Sequence, residues 1–397
     1  MAARAGFAGQ GWGLGETSEE EIFLEGEEKK ICAETVAQLP EVLAALDAVA
    51  ATGDPHLLAA GFISYEAGVW IEGSTSLVRD HDFLPFAEFF IFDTRRSRKA
   101  RIAPPLPEPP PLFTFEERAS ARRSLSSVEW ARGVATVRDG IERGDVYQVN
   151  LSHRTRFSAH ADPFLLAREL FARNPVPYAV TLATEDRAVV SNSPELFLDV
   201  DLGAGRVVTG PIKGTAARGA TPEADAASAA RLLASPKDRA ENVMITDLLR
   251  NDLGRVAVPG SVATTALTEL RTFAHLHHLE STVEARLAKG MRLSDILAAT
   301  LPGGSITGAP KRAALGFIRR LEPVARGAYT GAAGYVRGNG RAVFNVAIRT
   351  AIVGRDTVDY HAGGGIVWDS DAEAEWDETL TKSRELEAFL QPGGPRG

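Results

Sequence analysis

From Pro177 onward the chain reads as short β-rich segments that follow one another directly. PYAVTLAT, AVVSNSP and ELFLDVD form one run, and AYTGAAGYVR, AVFNVAIRTAIV and TVDYHAGGGIVW form another after Ala328. Helical spacing lies between and around these runs and does not alternate with every strand. It is expected over LPEVLAALDAVAA, over Trp130, Val134, Val137 and Ile141, and near 236–251, 293–301, 310–321 and 373–390. Grouped strands with separate helices predict an α+β fold of antiparallel sheets under outer helices. HLLAAGFISYEAG reads as a strand ending at Gly68, and FAEFFIFDTRR as another. DVYQVNLSHRTRF reads as a strand with Tyr147, Val149 and Leu151 on one face and Gln148, Asn150 and Ser152 on the other. No fixed-period repeat is present.

A chain of 397 residues can bury a sizeable core, and length alone suggests two or three domains. Clustered prolines in RIAPPLPEPPPLF, Arg101 to Phe113, predict an extended linker between an N-terminal part, 1–112, and a main body, 113–392. With 44 basic and 52 acidic residues the net charge is −8, so no basic excess exists to neutralise nucleic-acid phosphates. Cys32 is the single cysteine, which removes disulfide frameworks and cysteine-based metal sites. The first residues lack an apolar signal core, and no run of about 18 apolar residues occurs. A cytoplasmic protein is expected.

Two helices carry acids in register. Asp238 and Glu241 share one face of the helix that opens at SPKD, with Ser235 as cap. Glu375, Glu378 and Lys382 line a face of a second helix, with Ser370 read as its cap. Two such faces can jointly hold a hard cation such as Mg²⁺. Capping boxes and a Glu378–Lys382 ion pair explain the same residues without one. The glycines of LPGGSITGAPKRAA and of HAGGGIVWDS suit either anion cradles or tight turns. His277 and His278 point to opposite faces if AHLHHLEST is a strand, and no third ligand at zinc spacing accompanies them. Glu195, after Pro194, suits either a surface turn or a desolvated general acid. In GPIKGTAARG, Lys213 sits in a glycine-rich turn as a surface charge, an anion clamp or a nucleophile.

Together GDVYQVN, SNSPELF, GPIKGTAARG, ENVMITDLLRNDLGRV, HHLEST, LPGGSITGAPKRAA, YTGAAGY, FNVAIRT and GGGIVWDSDAEAEWDET resemble the chorismate-utilising enzymes, from Val128 to Leu390. The resemblance implies a single large domain of two facing antiparallel β-sheets surrounded by helices, with the N-terminal part intertwined. It implies a Mg²⁺ site with Glu241 and Glu378 as direct ligands and Asp238 and Glu375 acting through water or supporting the ligands from behind. Gly214, Thr215, Tyr329, Arg349, Gly363, Gly365 and Lys382 match positions that grip the two carboxylates of chorismate. Glu195 matches the acid that protonates the departing C4 hydroxyl, and His278 a residue beside the ring.

Two positions choose among subfamilies. Gln148 stands where isochorismate-forming members carry a lysine that activates water. Lys213 stands where anthranilate synthases carry alanine, and its segment is similar to aminodeoxychorismate synthase component I. That likeness implies a transaminase-class amination of chorismate, with the lysine amine adding at C2 before ammonia enters at C4. The implied partners are a separate glutamine amidotransferase subunit that supplies ammonia and a downstream aminodeoxychorismate lyase on the route to 4-aminobenzoate and folate. Anthranilate or aminodeoxyisochorismate formation, and a non-catalytic subunit that binds chorismate or scaffolds a glutaminase, are the alternatives. Ala217 and Glu280 depart from the usual pattern.

Overall fold

The strand Arg4–Ala8 inserts between Glu20–Glu25 and Tyr178–Ala183, so the start of the chain is woven into a sheet made largely from its later half. The computed structural model describes residues 3–14, 20–96, 98–101, 121–273 and 276–390. Within these residues the fold is two large antiparallel sheets with helices outside. The first sheet runs Gly308–Ala309, Gln148–Ser158, Thr357–Ile366, Thr350–Val353, Ala188–Ser193, Tyr178–Ala183, Arg4–Ala8, Glu20–Glu25 and Arg98–Arg101, with Ala121–Arg123 also paired to Gln148–Ser158. The second runs Ile212–Ala217, Leu276–Arg286, Arg206–Gly210, Leu196–Asp201, Arg341–Val346, Ala332–Arg337, Leu57–Ile63, Ala87–Asp93 and Lys29–Ala33. Ala263–Thr272 pairs off this path with Leu276–Arg286.

The sheets face each other through a shared core. Phe7, Leu24, Val180 and Ile352 of the first sheet cluster with Phe62, Phe92, Tyr335 and Val343 of the second. Removing such side chains from water is the main favourable term in folding. Trp12 locks the N-terminal segment in place. Its indole N–H reaches the Ala8 and Ala179 carbonyls at 3.1 and 2.9 Å, and the Tyr335 hydroxyl donates to the Trp12 carbonyl at 2.6 Å. The result is the single large α+β domain that the family resemblance implied. Two or three domains, as length suggested, do not form, because strands from the first 101 residues complete both sheets.

Several local expectations are corrected. The strand after His56 ends at Ile63; Ser64 then caps a helix, Tyr65–Ile71, by accepting from the Ala67 N–H at 3.1 Å. AVFNVAIRTAIV is two strands in different sheets, Arg341–Val346 in the second and Thr350–Val353 in the first. Arg349, at φ +49°, makes the corner. In the strand Gln148–Ser158, Val149 and Leu151 are buried, but Tyr147 precedes it and is exposed. Gln148, Asn150 and Ser152 are buried too, because the opposite face carries the site. The helices Pro163–Arg173 and Pro222–Ala234 had no sequence counterpart. Of the proline-rich linker, 102–113 lies outside the described residues. Among the described residues no helix is long and apolar enough to cross a membrane.

Candidate active site

Two neighbouring strand corners place chemistry between the sheets. Ala188–Ser193 leaves the first sheet and, after Pro194, continues in the second as Leu196–Asp201, which leaves Glu195 at the crossing. The Val346 N–H donates to the Glu195 carbonyl at 3.1 Å, so this corner lies against the one that carries Arg349. Glu195 is 4% exposed and no surface turn. Its carboxyl is pushed up to about 7 by burial, against the opposing charge of Lys213 and hydrogen bonds from the Ser305 hydroxyl and the Ile212 N–H.

Lys213 does not sit in a turn. It lies in the edge strand Ile212–Ala217, which pairs with Leu276–Arg286. The register shifts between Lys213 and Thr215, forming a bulge at Gly214 with φ +81°. A side chain at Gly214 would bring a Cβ to 3.0 Å from Asp238 Cβ, so the bulge also lets the acidic helix Pro236–Gly254 approach. The Lys213 amine donates to the Ser305 carbonyl at 3.1 Å. Burial pushes its pKa below the usual lysine value and the nearby Lys382 adds to that, while Glu195, Glu241 and Glu378 oppose the shift.

His277 and His278 do point to opposite faces. His278 meets the Thr215 hydroxyl at 2.9 Å through Nδ1, and burial followed by the charge of Arg349 drives its pKa to about 4. It is a neutral ring at neutral pH. His277 faces away, bonded to Asp225 and Thr272 at 2.9 Å, and anchors the helix Pro222–Ala234. The third histidine of that motif, His275, lies outside the described residues.

Tyr329 is buried, stacks on His361 with centroids 5.1 Å apart, and hydrogen-bonds Asn150. Burial raises its phenol to about 12, so it remains a hydrogen-bond donor. No ion pair engages the Arg349 guanidinium among the described residues. Gly363 and Gly365 belong to the strand Thr357–Ile366, with no turn there. They are needed for close approach: added Cβ atoms would come to 2.4 Å from the Leu151 carbonyl and 2.1 Å from Gln148 Nε2. Gln148 is fully buried, and neither amide atom has a partner among the described residues.

The acidic helices close the site. Lys382 donates to the Gly363 carbonyl at 2.8 Å and pairs with Glu378 at 2.7 Å, tying the helix Ala372–Leu390 to the glycine strand. That helix is capped by Asp371, which accepts from the Ala374 N–H at 2.9 Å. Ser370, expected as the cap, instead donates to Glu375 at 2.7 Å. Glu375 is buried against Gly364 and faces Lys237 of the other acidic helix at 3.7 Å. Burial pushes Glu241 up, Lys213 and Lys237 oppose this, and the charges of Asp238 and Glu375 push it further up. Burial also raises Glu378, but Lys382, Lys237 and Lys213 together outweigh it and the net shift is downward. Among the described residues no three or more His, Cys, Asp or Glu side chains converge tightly enough to hold a metal ion. The charge pattern still suits a cation, since burial and the neighbouring acids outweigh Lys213 and Lys237 at Glu241, leaving its negative charge under-compensated. A cavity of ≈ 600 Å³, lined in part by Thr215, Ser228 and Asp238, opens beside the edge strand.

Ser305 was not singled out in the sequence, although its motif was. It touches both Lys213 and Glu195. The 3-10 turn Gly304–Ile306 delivers it, and local glycine spacing suggested only an anion cradle.

Residues 7–388 match the description of chorismate binding enzymes. Aminodeoxychorismate synthase component 1 of Klebsiella aerogenes is 42% identical over 273 residues, covering 69% of this chain and 60% of that protein. The chain thus spans about 60% of the length of this relative. Anthranilate synthase component 1 of Saccharolobus solfataricus is 35% identical over 337 residues, 83% of this chain and 80% of that protein. The crystal structure of anthranilate synthase component I from Streptococcus pneumoniae superposes with a TM-score of 0.78 at 27% identity, covering 95% of this chain and 93% of that one. With a site between two sheets and motif matches along nearly its whole length, the chain belongs to the chorismate-binding enzyme family.

Proposed function

We infer that this chain aminates chorismate with ammonia to give 4-amino-4-deoxychorismate. One observation carries the reading. Lys213, with its pKa lowered, and Glu195, with its pKa raised, are held by the same residue, Ser305. A neutral amine beside a protonated carboxyl is the pairing that nucleophilic attack with general-acid assistance needs.

In the proposed sequence the Lys213 nitrogen bonds to C2 of chorismate and both conjugated ring double bonds shift, C1=C2 to C1=C6 and C5=C6 to C4=C5. The C4–O bond breaks as Glu195 delivers its proton, and water leaves. Ammonia then bonds to C4, both ring double bonds return to their original places, and the C2–nitrogen bond to Lys213 breaks. The proton shed by the incoming nitrogen goes back to Glu195. Arg349, Lys382 and the hydroxyls of Tyr329 and Thr215 bind and orient the substrate carboxylates, with Gly214, Gly363 and Gly365 giving the backbone room to approach. Neutral His278 packs beside the ring. Mg²⁺, when bound, supplies positive charge at the ring carboxylate. Glu241 and Glu378 would hold it, with Asp238 and Glu375 in supporting roles. Buried Gln148 is no base at neutral pH, which disfavours addition of water.

Similarity to relatives named component 1 supports a separate glutamine amidotransferase subunit as the ammonia source. A separate lyase would release 4-aminobenzoate for a folate route, and a cytoplasmic setting suits both. Anthranilate formation is the second reading, favoured by the Saccharolobus relative, and Lys213 is the feature that argues against it. The deciding experiment supplies chorismate, Mg²⁺ and an ammonium salt to the purified chain, followed by an aminodeoxychorismate lyase. The expected product is 4-aminobenzoate; the 2-amino isomer, or no turnover with binding intact, overturns the reading.

A further inference from the structure

Behind the site lies a buried arginine whose guanidinium hydrogen-bonds no side chain assigned to the substrate, metal or proton transfer. Its carbonyl accepts from the Tyr329 N–H at 3.2 Å, and its guanidinium lies 6.0 Å from the centre of the Tyr329 ring. Arg326 is 1% exposed, and its guanidinium spends every nitrogen on a partner. Nε and Nη2 form a fork on Glu322 at 2.8 and 2.6 Å. Nη2 also reaches the Asn150 carbonyl at 2.7 Å, and Nη1 reaches the Ile306 carbonyl at 3.0 Å and the Thr330 hydroxyl at 3.2 Å. Glu322 in turn accepts from the Ser152 N–H and hydroxyl at 2.8 and 3.0 Å. The Arg326 and Gly327 N–H groups are held by Glu66 at 2.7 and 3.0 Å.

Three of the guanidinium's partners, Ile306, Thr330 and Asn150, adjoin the site. Ile306 follows Ser305, which holds Lys213 and Glu195. Thr330 follows Tyr329. Asn150 and Ser152 stand directly opposite Gly365 and Gly363 in the first sheet. A planar fork with fixed donor directions can hold three separate backbone segments at once, which an ammonium on a flexible stem does not. A buried ion pair of this kind is weak evidence for stability, because desolvation offsets most of its attraction. Its value here is geometric.

We propose that Arg326 is a positioning residue, which through Ile306 sets where Ser305 holds Lys213 and Glu195 relative to the substrate. This rests on the reading of Glu195 as the acid and Lys213 as the nucleophile. Displacing Ser305 by a fraction of an ångström moves both reacting groups together, whereas Arg349 and Lys382, the charged members of the carboxylate grip, are on segments that the guanidinium does not bond.

The test is a double-mutant cycle on the full chain with chorismate, Mg²⁺ and ammonium, read as kcat beside the chorismate Kd and the melting curve. Arg326→Lys is expected to fold and to bind chorismate within a few-fold of the parent, with kcat lower by about 10²-fold. In a Glu195→Gln background the same substitution should lose most of its effect, because the group it positions is already disabled. An equal loss of kcat in both backgrounds, or a changed Kd or melting curve with kcat retained, overturns the proposal. Glu195→Gln turning over like the parent would instead remove the acid reading on which the proposal stands. Should Arg326→Lys not fold, Glu322→Gln goes through the same cycle. It keeps the shape of the side chain but weakens the fork, and the same loss of effect in the Glu195→Gln background is expected.

Discussion

The Lys213 amine donates to the Ser305 carbonyl at 3.1 Å, joining the edge strand of one sheet to the loop that packs across the other. Because the hydroxyl of the same serine bonds Glu195, the two titratable groups have a common anchor on the Gly304–Ile306 turn. The proposed chemistry requires them to act at C2 and C4, the two ends of one rearranging diene, and one residue sets their separation.

Lys213→Ala is expected to abolish formation of a covalent chorismate adduct, read by intact-protein mass in the absence of ammonia. Product formation should fall by at least the roughly 10²- to 10⁴-fold typical of losing a positioned catalytic group. Parent-like turnover in this variant would remove the nucleophile.

Activity should depend on pH through the Glu195–Lys213 pair. Glu195 must keep its proton, so kcat/KM falls as pH rises through about 7. Lys213 must be neutral, so it also falls as pH drops below the lowered pKa of the amine. Glu195→Gln should remove the alkaline limb of this profile at much reduced rate. The stability consequence has a definite sign. A carboxyl raised from 4.5 to about 7 on folding costs the folded state stability as pH climbs through that window. Glu195→Gln should therefore gain melting temperature on the parent between pH 4.5 and pH 7, and an equal difference at both ends would contradict the burial argument.

Chelation is expected to stop turnover, with restoration by Mg²⁺. Mg²⁺ alone, titrated calorimetrically, should bind the parent and raise its melting temperature by mass action. Glu241→Gln should lose most of that binding, while Asp238→Asn, in a supporting role, should lose less. Equal Mg²⁺ affinity in the Glu241→Gln variant would dissociate the acidic helices from the metal.

Gly214→Ala should destabilise the chain by about 1–3 kcal/mol in urea unfolding, the usual range for a residue held in a sparsely populated backbone region. A Cβ there meets a φ of +81° and the Asp238 side chain at 3.0 Å. Because the bulge also aims Lys213, kcat should drop with stability.

Much of the candidate site was legible in the sequence because its residues sit in short contiguous motifs. Periodicity marked the acidic helices, and Glu241, Glu378 and Lys382 fall on the faces that the spacing indicated. The α+β class followed from grouped strands. The lysine in GPIKGTAARG was visible too, but its setting was not. A bulged edge strand and a glycine turn have the same composition, and only pairing with Leu276–Arg286 separates them.

What the sequence alone determined was the local chemistry: which side chains carry charge, which segments repeat at strand or helix period, and which motifs resemble a known family. Tertiary structure decided the rest. It carried the chain between sheets at Glu195 and Arg349, split one apparent strand at Arg349, and brought Ser305 under both Lys213 and Glu195. It also buried the carboxyl and the amine, shifting their pKa values in opposite directions. Desolvation and long-range pairing depend on residues distant in the chain, so no local pattern encodes them.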